Sequence, residues 1–170
     1  MNLALVTWQQ AMKEHLAPTI LVTGAKHWEG SPVDNHSANA PHGKWIGTDI
    51  YSGDGVDIVL DLCNIGLSGS RFHGIFSPST LEHVNRPWLA VNSMAKALLP
   101  NGHLFMQTHQ TFPLHGYPHD YFRFSTEALH IMAVDAGYEY PCTIIPPPEI
   151  TRWNAVAPSH LNVCMFASMN

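Results

Sequence analysis

The sequence predicts an α/β fold with a mostly parallel sheet covered by helices, on three observations. Short apolar runs of strand length recur along the chain, several of them ending in Gly, Asp or Pro. Helical periodicity appears between and around those runs. The chain has 170 residues, 45 % of them apolar, which is enough to bury a core without disulfides or a structural metal. Strands separated by crossovers pair in parallel, and ligands then gather at the carboxyl ends of the strands.

Leu3, Leu5, Trp8, Met12 and Leu16 recur at helical spacing before Pro18, so the chain opens with a helix. TILVTG at 19–24 and KWIGTDI at 44–50 are strands. The stretch 27–43 between them, with Gly30, Pro32, Pro41 and Gly43, reads as loop rather than helix. VDIVLDL at 56–62 is near-continuously apolar, the pattern of a strand buried on both faces. FHGIFSP at 72–78 is the fourth strand. Leu81, Val84, Trp88, Val91, Ala95 and Leu98 then trace one face of a helix closed by Pro100, Asn101 and Gly102. HLFMQTH at 103–109 is the fifth strand. A helix at 126–136 has Ser125 as N-cap, Glu127 in its first turn and Gly137 as a left-handed stop. YPCTII at 140–145 and NVCMFAS at 162–168 complete the strands, divided by a Pro-rich loop over 146–158. All of this reads as a single domain over 1–170.

Composition excludes several classes. The net charge is −5 with no basic block, so there is no electrostatic footprint for nucleic acid. No apolar stretch approaches the ~18 residues of a membrane span. The three cysteines, Cys63, Cys142 and Cys164, form no C-x-x-C pair, which argues against a disulfide framework or thiolate zinc site. The start lacks a basic region and a long apolar run, so a cytoplasmic protein is expected. Low charge, at 12 % of residues, and many aromatics are compatible with a homodimer.

The strand ends carry the candidate ligand contacts. Thr23-Gly24 is a tight turn, or a place where backbone approaches a ligand. Asp49 stands about 25 positions after that glycine, well placed for ribose hydroxyls, or is simply a surface or capping Asp. Asp61 with Leu62 can hold an adenine amino group and ring face, or be a solvated strand end. Glu82 and His83 open the next helix, where a carboxylate also complements the dipole.

Taken together, ILVTG, WIGTDIYSGDGVDIVLDL, FHGIFSPSTLEHVNRPW, ALLPNGHLFMQTH and FPLHGYPHDYFRFSTEAL resemble the class I S-adenosylmethionine-dependent methyltransferases of the methyltransferase-11-like family, over about 19–137. LEHV and HGYPHDYFRF are the most specific parts. The resemblance implies a Rossmann-like seven-stranded sheet in the order 3-2-1-4-5-7-6, the last strand antiparallel. It implies S-adenosylmethionine as cofactor. Thr23 and Gly24 would contact its methionine part, and Asp49, with Ile50 beside it, the ribose. Asp61 and Leu62 would frame the adenine, Ser77 would sit beside the sulfonium, and Glu82 and His83 would shape the entrance. Two features depart from the family. The usual G-x-G-x-G loop is reduced to Gly24, and the first crossover helix is reduced, replaced by the loop 27–43.

HGYPHDYFRF at 115–124 follows the fifth strand, on the ligand edge. Methyl transfer needs an aligned nucleophile and a group that takes its proton. His115 or His119 can be that base, Asp120 can orient it, and Arg123 can clamp an anionic substrate. Alternatively, Asp120 and Arg123 pair with each other to hold the loop. His109, His115, His119 and Asp120 also offer metal-ligand chemistry, but no spacing is diagnostic and no metal site is assigned. The expected activity is O- or N-methylation of a small polar metabolite, such as a sugar. The alternatives are a methyltransferase-like binding module without turnover, or an enzyme that cleaves S-adenosylmethionine by elimination or hydrolysis.

Overall fold

The structure is a computed structural model that describes residues 2–27, 37–64, 69, 71–116, 118–144 and 161–169. Among the described residues three helices, α1 (Leu3–Lys13), α2 (Pro87–Ala97) and α3 (Thr126–Asp135), flank seven strands. These are β1 (Thr19–Thr23), β2 (Lys44–Asp49), β3 (Ile58–Val59), β4 (Phe72–Pro78), β5 (Leu98–Thr111), β6 (Glu139–Ile144) and β7 (Leu161–Ser168). All seven belong to one sheet in the order β3-β2-β1-β4-β5-β7-β6. The first five are mutually parallel, and β7 runs antiparallel to both β5 and β6. Sheet type, strand order and the antiparallel strand thus match the expectation from sequence.

The central strands are buried on both faces, which is why β1 and β4 read as apolar runs. One face is covered by α1. Its N-cap Asn2 accepts from the Leu5 N–H, and Trp8 and Met12 are fully buried against Ile20, Phe76 and Phe105. The Trp8 and Phe76 rings lie 5.3 Å apart, and Trp8 Nε1–H donates to the His103 carbonyl at 3.3 Å. The approach is close because β4 has Gly74 here: a Cβ would meet Met12 Sδ at 2.6 Å. Leu3 and Leu16 do not share this face and are exposed, replaced inside by Ala4 and Ala11. The other face carries α2 and α3 over Leu21, Ile75, Leu104 and Met106, with Leu129 of α3 buried in the same cluster. In α3 the expected caps are present: Ser125 accepts from the Ala128 N–H, and Gly137 has φ of 88°.

Three expectations are corrected. The continuous helix over 81–98 is a 3-10 turn at Leu81–His83 followed by α2, which starts only at Pro87. Proline lacks the N–H a helix interior needs and pushes Arg86 out of helical geometry, to φ −135° and ψ 68°. Trp88 is consequently exposed. Pro100-Asn101-Gly102 does not close a helix. It lies inside β5 as an irregularity between the Phe72–Leu98 and Gly74–His103 pairs, with Asn101 at φ 59°. Finally, β3 is two residues long at the sheet edge, and Ile58 and Val59 are exposed rather than buried on both faces.

The Pro-rich loop over 146–158 and most of the loop 27–43 lie outside the described residues. Of the latter, residues 27 and 37–43 are described, with a 3-10 turn at Ser37–Asn39. Among the described residues no helix is long and apolar enough to cross a membrane.

Candidate functional site

Parallel pairing puts the carboxyl ends of β1, β2, β4 and β5 on one edge of the sheet. Two groups of candidate residues meet there, joined by the short run from Ser77 to His83.

The first group surrounds the end of β1. Thr23 is buried, and its Oγ1 lies 2.8 Å from Ser77 Oγ and 3.1 Å from Thr80 Oγ1. The Thr80 hydroxyl also reaches the Thr23 and Pro78 carbonyls. These hydroxyls satisfy one another and tie β1 to β4. Gly24 then turns with φ of 63° and is exposed, and a Cβ on it would meet Thr80 Oγ1 at 2.7 Å. Ser79, at φ 45°, is a non-glycine residue in the left-handed region beside this turn. Asp49, half-buried at the end of β2, accepts from the Lys26 N–H at 3.3 Å and the Tyr51 N–H at 3.1 Å. Ile50 beside it is exposed. Asp61 lies just beyond β3 rather than at its end. It accepts from the Cys63 N–H and from Asn64 Nδ2, while Leu62 is buried in the core.

The second group centres on Glu82, which is fully buried. Thr108 Oγ1 donates to its Oε2 at 2.7 Å. Its Oε1 lies 3.0 Å from His109 Nε2 but carries no aligned hydrogen bond. Burial pushes the Glu82 carboxyl up, yet the contacts from His109 and Thr108 outweigh it and hold the group below its ordinary value. The Glu82 carbonyl accepts from the Tyr121 and Phe122 N–H groups, so residues 121–122 lie against this turn.

Arg123 holds that segment in shape. Its Nη1 and Nη2 donate to the two Asp120 oxygens at 2.5 and 2.7 Å. Its remaining donors reach the carbonyls of Phe112, Pro113 and Phe122. The guanidinium beside Asp120 keeps that carboxyl well below the usual carboxylate range. Of the two readings of this pair, the geometry is that of a loop staple. A guanidinium engaged this way has no fork to offer an anionic substrate.

Asp120 also holds His115. Its Oδ2 accepts from the His115 backbone N–H at 2.9 Å and lies 3.2 Å from His115 Nδ1. Nδ1 is also 3.1 Å from the Pro113 carbonyl. A carbonyl only accepts, so Nδ1 carries the proton and Nε2 the lone pair. The rings of Phe112, His109 and His83 stand 4.8, 5.6 and 4.8 Å from the His115 ring. His83 Nδ1 donates to the His119 carbonyl at 2.6 Å. His119 is exposed, with its ring against Tyr121.

The structure therefore unites Glu82, His83, His115, Asp120 and Arg123, and separately Thr23, Gly24 and Ser77. His119 contributes its carbonyl. From the sequence His109 was named only as one of several residues with metal-ligand chemistry, and Thr108 was given no site role. The available signal was their position at the end of β5, on the ligand edge.

No family model matches the sequence, and no curated protein matches it. Solved structures do match in fold. A carbon methyltransferase of CurJ superposes with a TM-score of 0.69 at 14 % identity, over 97 % of this chain and 53 % of that one. This chain thus spans about half the length of that relative. A SAM-dependent methyltransferase from Archaeoglobus fulgidus superposes with a TM-score of 0.67 at 10 % identity, over 98 % and 93 % of the two chains. The 1,6-didemethyltoxoflavin-N1-methyltransferase of Burkholderia thailandensis, solved with S-adenosylhomocysteine, gives 0.65 at 16 % identity, over 98 % and 78 %. This chain has the fold of the SAM-dependent class I methyltransferases.

Proposed function

We propose that this chain transfers a methyl group from S-adenosylmethionine to an oxygen or nitrogen of a small polar molecule. The observation that carries the reading is the shared edge: an exposed glycine turn and an acidic β2 end lie on the same edge of the sheet as an imidazole whose tautomer is set. The fold supports it, because structures that share it are SAM-dependent methyltransferases.

The residues at the edge fit the cofactor. Gly24 takes the left-handed turn after β1 with its backbone exposed to a ligand, while Thr80 packs where a Cβ would stand. Asp49 accepts one N–H on each oxygen and has lone pairs left for ribose hydroxyls. Asp61 offers a carboxylate for an amino group, while Leu62 is packed in the core and anchors the segment. Ser77 and Thr23 act by fixing the β1–β4 junction, since their hydroxyls are occupied with each other. The cofactor supplies an electrophilic methyl group on a sulfonium.

The chain's own part is to place the acceptor and take its proton. His115, oriented by Asp120, offers a lone pair at Nε2. Among the two imidazoles of the 115–124 segment it is favoured over His119, which has no carboxylate behind it among the described contacts. Phe112 stacks on His109 at 4.2 Å and walls the site. Arg123 and Asp120 position His115 and do not read the substrate.

Calorimetric titration with S-adenosylmethionine and S-adenosylhomocysteine tests the first step. Saturable binding is expected, weakened roughly 10- to 100-fold in Asp49→Ala, the loss of about 1.5–3 kcal/mol of bonds to a charged group. No binding at millimolar ligand sinks the proposal. Mass spectrometry of turnover mixtures tests the second: S-adenosylhomocysteine with a methylated acceptor is expected. Methylthioadenosine or homoserine lactone would instead reveal elimination or hydrolysis.

A further inference from the structure

We propose that Glu82, His109 and His115 form a binding site for a first-row divalent metal ion, with zinc the best match to the donor set. One ligand atom from each of the three lies within 4.8 Å of the other two. They come from the 3-10 turn after β4, the end of β5 and the loop beyond it, so nothing local in the sequence brings them together. Two imidazole nitrogens and one carboxylate oxygen are the donors of three-ligand zinc sites that keep a position open.

Three further observations point to an ion. Glu82 is fully buried, and its Oε1, the oxygen on the His109 side, carries no aligned hydrogen bond. A buried carboxylate oxygen that faces an imidazole nitrogen at 3.0 Å without an aligned N–H is poorly satisfied, and a cation shared by the two removes that cost. The separation of Oε1 from His109 Nε2, 3.0 Å, is close to the ~3.3 Å between two ligands of a tetrahedral ion with bonds near 2.0 Å. With all three ligand atoms within 4.8 Å of one another, the gap to His115 exceeds that ligand spacing by at most about 1.5 Å. Lastly, the outer contacts are those that metal-bound residues have. His115 Nδ1 is held by a carbonyl and the Asp120 carboxylate, and Glu82 Oε2 by the Thr108 hydroxyl. Such contacts fix the tautomer and aim the ligands.

The competing arrangement is a plain imidazolium–carboxylate pair between His109 and Glu82. It accounts for those two residues but gives His115 no part. The ion site stands on these side chains alone. Its consequence for methyl transfer rests on the reading above and changes one role in it: with the His115 Nε2 lone pair on the ion, that nitrogen is no longer the base, and an open coordination position would take an acceptor oxygen and lower its pKa, favouring a hydroxyl-bearing substrate over an amine.

The test uses the whole chain, stripped with EDTA and freed of chelator. Zinc chloride is titrated by calorimetry, and cobalt chloride is followed by visible absorption. One zinc per chain at micromolar affinity or tighter is expected, with intense cobalt bands of a four-coordinate site. Glu82→Gln and His115→Asn should each weaken zinc by at least roughly 10-fold, and Asp120→Asn by about 10- to 100-fold. His130→Ala, an exposed position on α3, should change nothing. If Glu82→Gln fails to fold, His115→Asn on the partly exposed loop carries the test, with its melting temperature as the check. No saturable zinc, undiminished zinc binding in His115→Asn, or equal loss in His130→Ala overturns the site. S-adenosylhomocysteine is titrated into the same samples. Zinc without it keeps the site and removes the methyl-transfer reading; the reverse outcome removes the site alone.

Discussion

Replacing Arg123 by Met removes the guanidinium while keeping most of the stem's packing. Two bonds to Asp120 and those to the Phe112, Pro113 and Phe122 carbonyls are lost. A charge-assisted bond is worth about 1.5–3 kcal/mol, and removing one partner of a buried pair costs about 3–5 kcal/mol. The Asp120 side chain is 2 % exposed, which argues for the upper figures. The Arg123 side chain is 28 % exposed, so water replaces part of what is lost. Together these give about 2–3 kcal/mol for Arg123→Met, or a melting point roughly 5–10 °C lower for a chain of this size. The coupling to Asp120→Asn in a double-mutant cycle should be about 1–2 kcal/mol. Urea denaturation followed by fluorescence of the five tryptophans measures it. If the pair is a staple, binding of S-adenosylhomocysteine stays within a few-fold while turnover falls. A cost below about 0.5 kcal/mol, or a coupling near zero, refutes the reasoning.

Gly24→Ala should cost about 1–2 kcal/mol from its left-handed backbone, plus the 2.7 Å clash with Thr80, and should weaken S-adenosylhomocysteine at least 10-fold by calorimetry. Gly137→Ala, also at positive φ but with nothing within 4 Å, should show only the backbone cost of about 1 kcal/mol and unchanged ligand binding. Trp8→Ala should cost about 3–5 kcal/mol in urea denaturation, because a fully buried indole leaves a cavity and the His103 carbonyl loses its donor. His103 should make stability fall on acidification. Burial and nearby His15 lower its pKa, opposed by Glu14, while its ring stacks on Phe166. Its folded pKa is therefore below the unfolded value of about 6.5, so the unfolded chain binds the proton more readily. The stabilisation of the neutral form is present above about pH 6.5 and lost as pH falls through and below it. Denaturation midpoints from pH 8 to 5 should drop less in His103→Gln than in the parent.

The sequence by itself determined those features that rest on neighbours along the chain. Ser125 and Gly137 bracket α3, Asn2 caps α1, and the apolar runs mark the central strands, because caps and periodicity are local physics. The sheet order came only from the family resemblance that the series of strand-end motifs carries, since no local feature says which strands pair. Even locally, a face drawn through Leu81, Val84 and Trp88 gave too long a helix, since Pro87 outweighs periodicity. Burial of β3 was not legible either, as an apolar run does not say whether its strand lies at the sheet's centre or edge. The site was decided by tertiary structure. Glu82 meets His109 because β4 and β5 pair in parallel with Ser77 opposite Met106, which brings the ends of the two strands together. His115 joins them because Arg123 spends its donors on Asp120 and three carbonyls, folding the loop back. The residue types named a hydrogen-bonding capacity. Only the packed chain chose the partners, because a buried donor or acceptor is satisfied by whatever the fold places beside it.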